Sequence, residues 1–188
     1  MMSEIFGVID TETNFSNQLI SVGIVAVNAT DYKIVDEYYG LFDPQYKSHA
    51  MYSHVLKYKG IEINNVAGSQ EIIADLDGFI ERNGIKKMFA YNAKFDYSHL
   101  SELNHLVWYD IMRLAAYRQH NSKITDEFEC CKTGRLKSNF GVEAIYRLLS
   151  GDYYYSEVHN ALTDARDEMQ IMKMLGKNME EYEVGRIN

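Results

Sequence analysis

Proline is nearly missing from this chain: Pro44 alone interrupts 188 residues. A chain so poor in proline, with 46% hydrophobic residues, is neither a disordered linker nor a proline-rich spacer, and it can bury a sizeable core. Cysteine is almost as scarce. Cys130 and Cys131 are adjacent, which suits neither an ordinary disulfide nor a paired zinc knuckle, so both are expected to be reduced and without a role. Long apolar runs are absent, none approaching the roughly 18 residues of a membrane span. Met1-Met2-Ser3-Glu4 has neither the basic nor the apolar part of a signal peptide. Cytoplasmic residence, away from membranes, is the expectation.

Basic residues are also in deficit, 19 Lys and Arg against 27 Asp and Glu, for a formal charge of −8. That excludes a protein that coats nucleic acid with a broad basic face. It does not exclude one that meets phosphate through bound cations, because a metal inverts the field around a carboxylate cluster. The stretch from Met112 to Lys137 runs against the trend. It holds six basic residues (Arg113, Arg118, Lys123, Lys132, Arg135, Lys137) and three acidic ones (Asp126, Glu127, Glu129). It is a candidate contact for a phosphate backbone, or an ordinary solvated loop.

What is present is a run of apolar, β-branched segments followed by helical ones. Ile5 to Asp10, Gln18 to Asn28 and Ile34 to Phe42 read as three strands with short connections, hence an antiparallel meander. Phe42 to Ser69 reads as loop with a short helix. Ser69, as N-cap, opens a helix through Arg82 that stops at Asn83-Gly84. Lys87 to Tyr91 is a fourth strand, and a helix from near Phe95 runs towards Leu106. Val107 to Tyr109 is a fifth strand, and Met112 to His120 reads as helix. Ser138 is a candidate cap for a helix bearing Val142, Ile145 and Leu149. The last helix carries Leu162, Ala165, Met169 and Met172 at intervals of three and four, with Gly176 near its end. The expected class is α/β, a mixed sheet flanked by helices. It forms one domain over 1–188, with its core over about 4–176 and a short C-terminal tail.

Three distant stretches carry the chemistry: Asp10-Thr11-Glu12-Thr13, Asn92-Ala93-Lys94-Phe95-Asp96 and His159 to Asp164. Residues i and i+2 of an extended chain point the same way, so Asp10 and Glu12 can serve one site. Taken alone, this could be an acidic turn with Thr11 and Thr13 as turn formers. Asp96 at a helix start could serve only the helix dipole, and Phe95 could be a core residue. Asp164 and Glu168 share a helical face, and His159 precedes them on a segment able to swing. Each stretch is weak alone. Together they offer four hard oxygen donors for Mg²⁺ or Mn²⁺ and an imidazole able to take a proton near neutrality. Such a pair of ions can clamp both the attacking and the leaving oxygen of a phosphodiester.

In that order and on those elements, the three stretches resemble the motifs of the DEDDh branch of the DnaQ-like 3′–5′ exonucleases. Asp10-Thr11-Glu12 matches the first motif, Asn92-Ala93-Lys94-Phe95-Asp96 the second, and His159 with Asp164 the third. Asp110 to Ala115 is similar to a further family segment, with Ile111 where threonine is usual. Gly60-Ile61 resembles a Gly-Ile-Thr segment with Glu62 in place of threonine, and Asn139 to Leu149 resembles the helix before the third motif. One departure is Tyr91, where many proofreading-type members have histidine. The resemblance covers Ile5 to Leu175.

The resemblance implies a ribonuclease H-like fold with a five-stranded mixed sheet, an antiparallel three-strand meander plus parallel strands. It implies two Mg²⁺ ions, replaceable by Mn²⁺, held by Asp10, Glu12, Asp96 and Asp164, with His159 as general base. It also implies hydrolysis of single-stranded nucleic acid from a free 3′ end to nucleoside 5′-monophosphates. Thr13, Asn92 and Phe95 are the implied substrate contacts. Tyr153-Tyr154-Tyr155 is a possible stacking platform but stays outside the site. DNA is placed slightly ahead of RNA, although no residue can be assigned a contact to a 2′-hydroxyl. A polymerase or other protein is a possible partner. Two other readings stay open: a metal phosphomonoesterase for small nucleotides, and a silent binding module, whose signature would be a lost acidic ligand.

Overall fold

The computed structural model describes residues 4–188. The first three strands are β1 (Ile5–Thr13), β2 (Leu19–Asn28) and β3 (Ile34–Phe42), paired antiparallel in sequence order. Two further strands, β5 (Lys87–Ala90) and β6 (Val107–Asp110), continue parallel from the other side of β1. The expected five strands become six. β4 (Asn65–Ala67) pairs parallel with Gly40–Phe42 at the sheet edge, giving the order β4-β3-β2-β1-β5-β6. Three residues, one of them the exposed Val66, are too few to show an alternating pattern in sequence.

Helices cover both faces. α1 (Ser69–Asn83) and α2 (Lys94–His99) lie on the face carrying Ile9, Val22, Ile24 and Trp108. On the other face, α3 (Met112–Ala115), α4 (Val142–Ser150) and α5 (Ala161–Leu175) pack over Phe6, Val8, Val25 and Tyr39. The left-handed glycines Gly84 and Gly176 close α1 and α5, as expected, and Gly151 closes α4 in the same way. Among the described residues no helix is long and apolar enough to cross a membrane.

Several boundaries differ from expectation for local reasons. Gly68, not Ser69, is the N-cap of α1, and Gly141, not Ser138, precedes α4. The helix from Phe95 stops at His99, because Leu100 leaves helical geometry (φ −115°, ψ 54°), and a 3-10 turn over Ser101–Leu103 follows. The helix after Asp110 ends at Ala115. There the Asn121 side chain donates to the Ala115 carbonyl (2.7 Å), and Tyr117 turns away to bridge Arg135. The C-terminal residues form a 3-10 helix over Met179–Gly185, started by an Asn178–Glu181 capping box and anchored by the buried Tyr182.

One close approach positions everything that follows. Gly23 of β2 sits opposite Asp10 in the β1–β2 ladder, and the start of α5 lies directly on it. A Cβ at Gly23 would come within 2.2 Å of the Leu162 nitrogen and 2.4 Å of the Ala161 carbonyl carbon, both backbone atoms. Only glycine lets α5 settle there and carry Asp164 to Asp10. Overpacking of this kind commonly costs about 1–3 kcal/mol. Gly23→Ala should therefore lower Tm by about 2–4 °C per kcal/mol. Parental thermal stability in that variant would contradict the packing account.

Candidate active site

The alternation of β1 decides which acids face α5. Phe6 and Val8 belong to the core under α5, and Asp10 and Glu12 continue that face. β1 runs through Thr13, so both acids sit in true strand geometry. Thr11 points the other way. It is a buried ligand for Asp96: its hydroxyl donates to Asp96 Oδ1 (2.7 Å), and its backbone N–H also reaches that carboxylate. The turn-former reading of Thr11 is therefore corrected, since the side chain ties β1 to α2. Asp96, in the first turn of α2, is only 2% exposed.

Asp164 stands in the first turn of α5 at 3% exposure, where the helix N-terminus favours negative charge. The N-cap is Asn160, fully buried. Its Oδ1 accepts from Leu162 N and Thr163 N, and its Nδ2 donates to Tyr39 Oη (2.9 Å) and the Val55 carbonyl (3.0 Å). An asparagine just before an apolar-periodic run is a readable cap signal, and it is the one local feature here that could have been taken from the residues alone.

His159 takes left-handed backbone geometry (φ 61°), and its N–H points to the Asp164 carboxylate. Its ring does not hang free. The Tyr52 ring stacks on it at 4.0 Å between centroids and 17° between planes. Tyr52 precedes a 3-10 turn over Ser53–Val55, whose end is pinned by Asn160 and by Tyr39 Oη donating to Leu56 O (3.0 Å). The ring contact thus depends on the same buried asparagine that starts α5.

The structure brings three of the expected groups to ligand distance of one another and leaves Asp10 and Asp96 outside that set, beside it as neighbouring charges. Glu12, His159 and Asp164 each present a ligand atom within 4.8 Å of the others. Asp10 feels burial first, then repulsion from Asp96, Glu168, Asp164 and Glu12, and its carboxyl is held well above the usual range. Burial, then Asp164 and Glu157, push Glu12 up to about 8. Burial raises Asp96 to about 7, against the hydrogen bonds from Thr11. Burial, then Glu157 and Asp167, raise Asp164 to about 8. His159 is lowered by burial, so its ring is biased towards the neutral base.

The donor set fits divalent metal. Asp10 Oδ2 is buried with no hydrogen-bond partner, and hard carboxylate oxygens that repel one another are stabilised together by a cation. A stability consequence follows. These carboxylates ionise near 7–8 in the metal-free fold and near about 4 in the unfolded chain. Between those values the folded chain holds more protons, so their contribution to stability falls as pH rises. Metal binding displaces those protons. The gain in Tm on adding Mn²⁺ should therefore be small at pH 5 and grow towards pH 8. A flat or shrinking gain, read by thermal denaturation, would oppose the assignment.

The expected substrate contacts are exposed or half-buried. Asn92 is exposed in left-handed geometry (φ 60°), Thr13 is half-buried, and Phe95 is 37% exposed with its ring 4.4 Å from that of His99. Phe95 is thus at the surface and not in the core. Tyr155 packs inward, stacked on Tyr146 at 3.9 Å and donating to Asp167 (2.6 Å), while Tyr154 is 97% exposed. Within the basic stretch, Arg118 pairs with Asp126 and Lys137 with Glu129, and Arg113 and Arg135 lie on the Tyr117 and Phe140 rings. Those four cations are engaged within the chain. Both cysteines are free. Reading the residues alone missed Tyr52, Glu157 and the buried hydrogen-bonding roles of Asp110 and Glu168.

No protein-family model matches this chain, and no curated protein matches it by sequence. Solved structures do. The nuclease domain of 3′hExo, a DEDDh family member bound to rAMP, superimposes with a TM-score of 0.63 at 14% identity, over 99% of this chain and 97% of that one. A full-length 3′-exonuclease gives 0.64 at 13% identity, over 94% and 83%. Exonuclease I of E. coli in complex with a dA16 oligonucleotide gives 0.58 at 12% identity, and there the match spans 95% of this chain but 42% of the other. The chain shares the fold of these solved exonucleases, with Asp10 and Glu12 of the acidic cluster on its strand β1.

Proposed function

We propose that this protein is a metal-dependent 3′–5′ exonuclease, hydrolysing terminal phosphodiester bonds of single-stranded nucleic acid to nucleoside 5′-monophosphates. The observation that carries the reading is the meeting of Glu12, His159 and Asp164 at ligand distance, with Asp10, its Oδ2 unpartnered, and Asp96 close enough beside them to repel the same charges. No acidic ligand of the set is missing, which disfavours a silent binding module. Asp10, Glu12 and Asp164 would hold one cation, and Asp10 with Asp96 a second. When bound, two Mg²⁺ or Mn²⁺ ions lower the pKa of water and neutralise charge that grows on the phosphate.

The chain's own groups do the rest. His159, depressed by burial and steadied by Tyr52, accepts the proton of the attacking water at an imidazole nitrogen. Thr11 holds Asp96 against β1, so the carboxylates keep their spacing while substrate enters. Asn92, Thr13 and Phe95 would receive the terminal nucleotide, the phenyl ring by stacking on base or sugar.

The structural neighbours hold both kinds of sugar, rAMP in 3′hExo and dA16 in Exonuclease I. Both sugars therefore belong in the test. Matched 5′-labelled single-stranded DNA and RNA are incubated with Mg²⁺, Mn²⁺ or EDTA. The reading expects a ladder shortened one nucleotide at a time from the 3′ end with metal and none with EDTA. Release of inorganic phosphate alone would identify a monoesterase instead.

A further inference from the structure

Glu168 is a fifth carboxylate at the cluster. It sits one helical turn after Asp164, 2% exposed, close enough to Asp10 and Asp96 that each repels its charge. A buried acid so placed adds repulsion to a site already crowded with it, so its presence calls for a compensating contact.

The contact lies in the turn after β5. The last ladder pair of that strand is Ala90 with Asp110. Beyond it the chain must leave the sheet, pass through left-handed Asn92 and enter α2, burying the next amides as it goes. Buried amides need acceptors. Glu168 Oε2 accepts from Tyr91 N (2.9 Å). Asp110 Oδ1 accepts from Asn92 N (3.0 Å) and Met112 N (3.0 Å), and its carboxylate also receives the Ala93 N–H. Three successive amides of the turn that aims Asp96 are thus gripped by two carboxylates from other elements. Asp110 grips from the adjacent strand. Glu168 grips from α5, the helix that also carries Asp164.

We propose that Glu168 is a positioning residue: by accepting the Tyr91 amide it locks the β5–α2 turn to α5, and so fixes Asp96 relative to Asp164. This rests on the exonuclease reading for its catalytic consequence, but not for its structural one. The important property is a hydrogen-bond acceptor at this position. Glu168→Gln keeps a carbonyl oxygen there. Glu168→Leu keeps much of the volume and removes the acceptor, freeing the turn.

The test compares both variants with the parent in two ways. Amide hydrogen exchange at Tyr91, measured in metal-free protein, reads the grip without any turnover. Steady-state kinetics on a labelled oligonucleotide at saturating Mn²⁺ read its consequence. Displacing a reacting group by about 1 Å can cost about 10²-fold, so Glu168→Leu should lose about 30-fold or more in kcat with KM changed less than about twofold. Its Tyr91 amide should exchange faster than the parent's. Glu168→Gln should retain Tyr91 protection and stay within about threefold of parental kcat, since the acceptor and its geometry persist.

Parental kcat and parental Tyr91 protection in Glu168→Leu would overturn the proposal. So would a Glu168→Gln variant as slow as Glu168→Leu, which would show that charge and not the hydrogen bond is what counts. If Glu168→Leu does not fold, Glu168→Gln decides: protected and active supports the assignment, unprotected or inactive overturns it. If the parent cuts no oligonucleotide, the exonuclease reading fails, and Tyr91 exchange still judges the grip.

Discussion

Asp10→Asn should give a folded protein that is more heat-stable than its parent in metal-free buffer at pH 8 and that cuts nucleic acid poorly or not at all. Both halves have one cause. Burial, and then its acidic neighbours, hold the Asp10 carboxyl well above its usual range, and its Oδ2 has no partner inside the chain. Removing that charge relieves repulsion with Asp96, Glu168, Asp164 and Glu12, and each kcal/mol relieved raises Tm by about 2–4 °C. The same substitution removes a carboxylate that would help hold the cations. Several kcal/mol of charge stabilisation would go with it, so turnover should fall by about 10³-fold or more. Thermal denaturation with EDTA and the oligonucleotide ladder with Mg²⁺ measure the two halves. A less stable variant with full activity would refute both.

His159→Ala carries the second large effect. A positioned general base contributes about 10²–10⁴-fold in rate, and loss within that range is expected. Residual cleavage should recover partly as pH rises, because bulk hydroxide then replaces the missing base. Oligonucleotide affinity and the Mn²⁺-induced rise in Tm should be largely kept, since the four carboxylates remain. The stack on Tyr52 adds a milder variant: Tyr52→Phe keeps the ring face and should stay near parental rate, whereas Tyr52→Ala releases the imidazole. A His159→Ala protein with parental kcat across pH 6–9 (about three units around the ordinary histidine range) would remove histidine from the mechanism.

Much of this architecture was legible in the residues, for reasons that also explain what was not. β1 and β2 announce themselves because buried β-branched residues recur along them, and β3 because buried aromatic and aliphatic residues close it. β4 has three residues at an edge and no such pattern. Asp10, Glu12 and Asp164 were readable because strand alternation and helix position orient side chains locally. Asp96 alone reads as a helix-dipole partner, and only its hydrogen bond from Thr11 shows why it faces the cluster. The contacts made by Tyr52 and Glu168 were beyond reach. One acts on a ring far along the chain and the other on an amide that the sheet leaves unpaired, and neither relation has a local period. The helix drawn to His120 failed for a similar reason: Asn121 folds back onto Ala115, a tertiary choice that overrides helix propensity.

The central claim is that the carboxylates from β1, α2 and α5 together hold a pair of divalent cations. Calorimetric titration of the metal-free protein with Mn²⁺, beside Asp10→Asn, tests it most directly. The account predicts saturable uptake of about two ions per chain, as in paired-metal phosphodiesterase sites, with binding lost or sharply weakened in the variant. Uptake that is absent in the parent, or unchanged by the substitution, would contradict it.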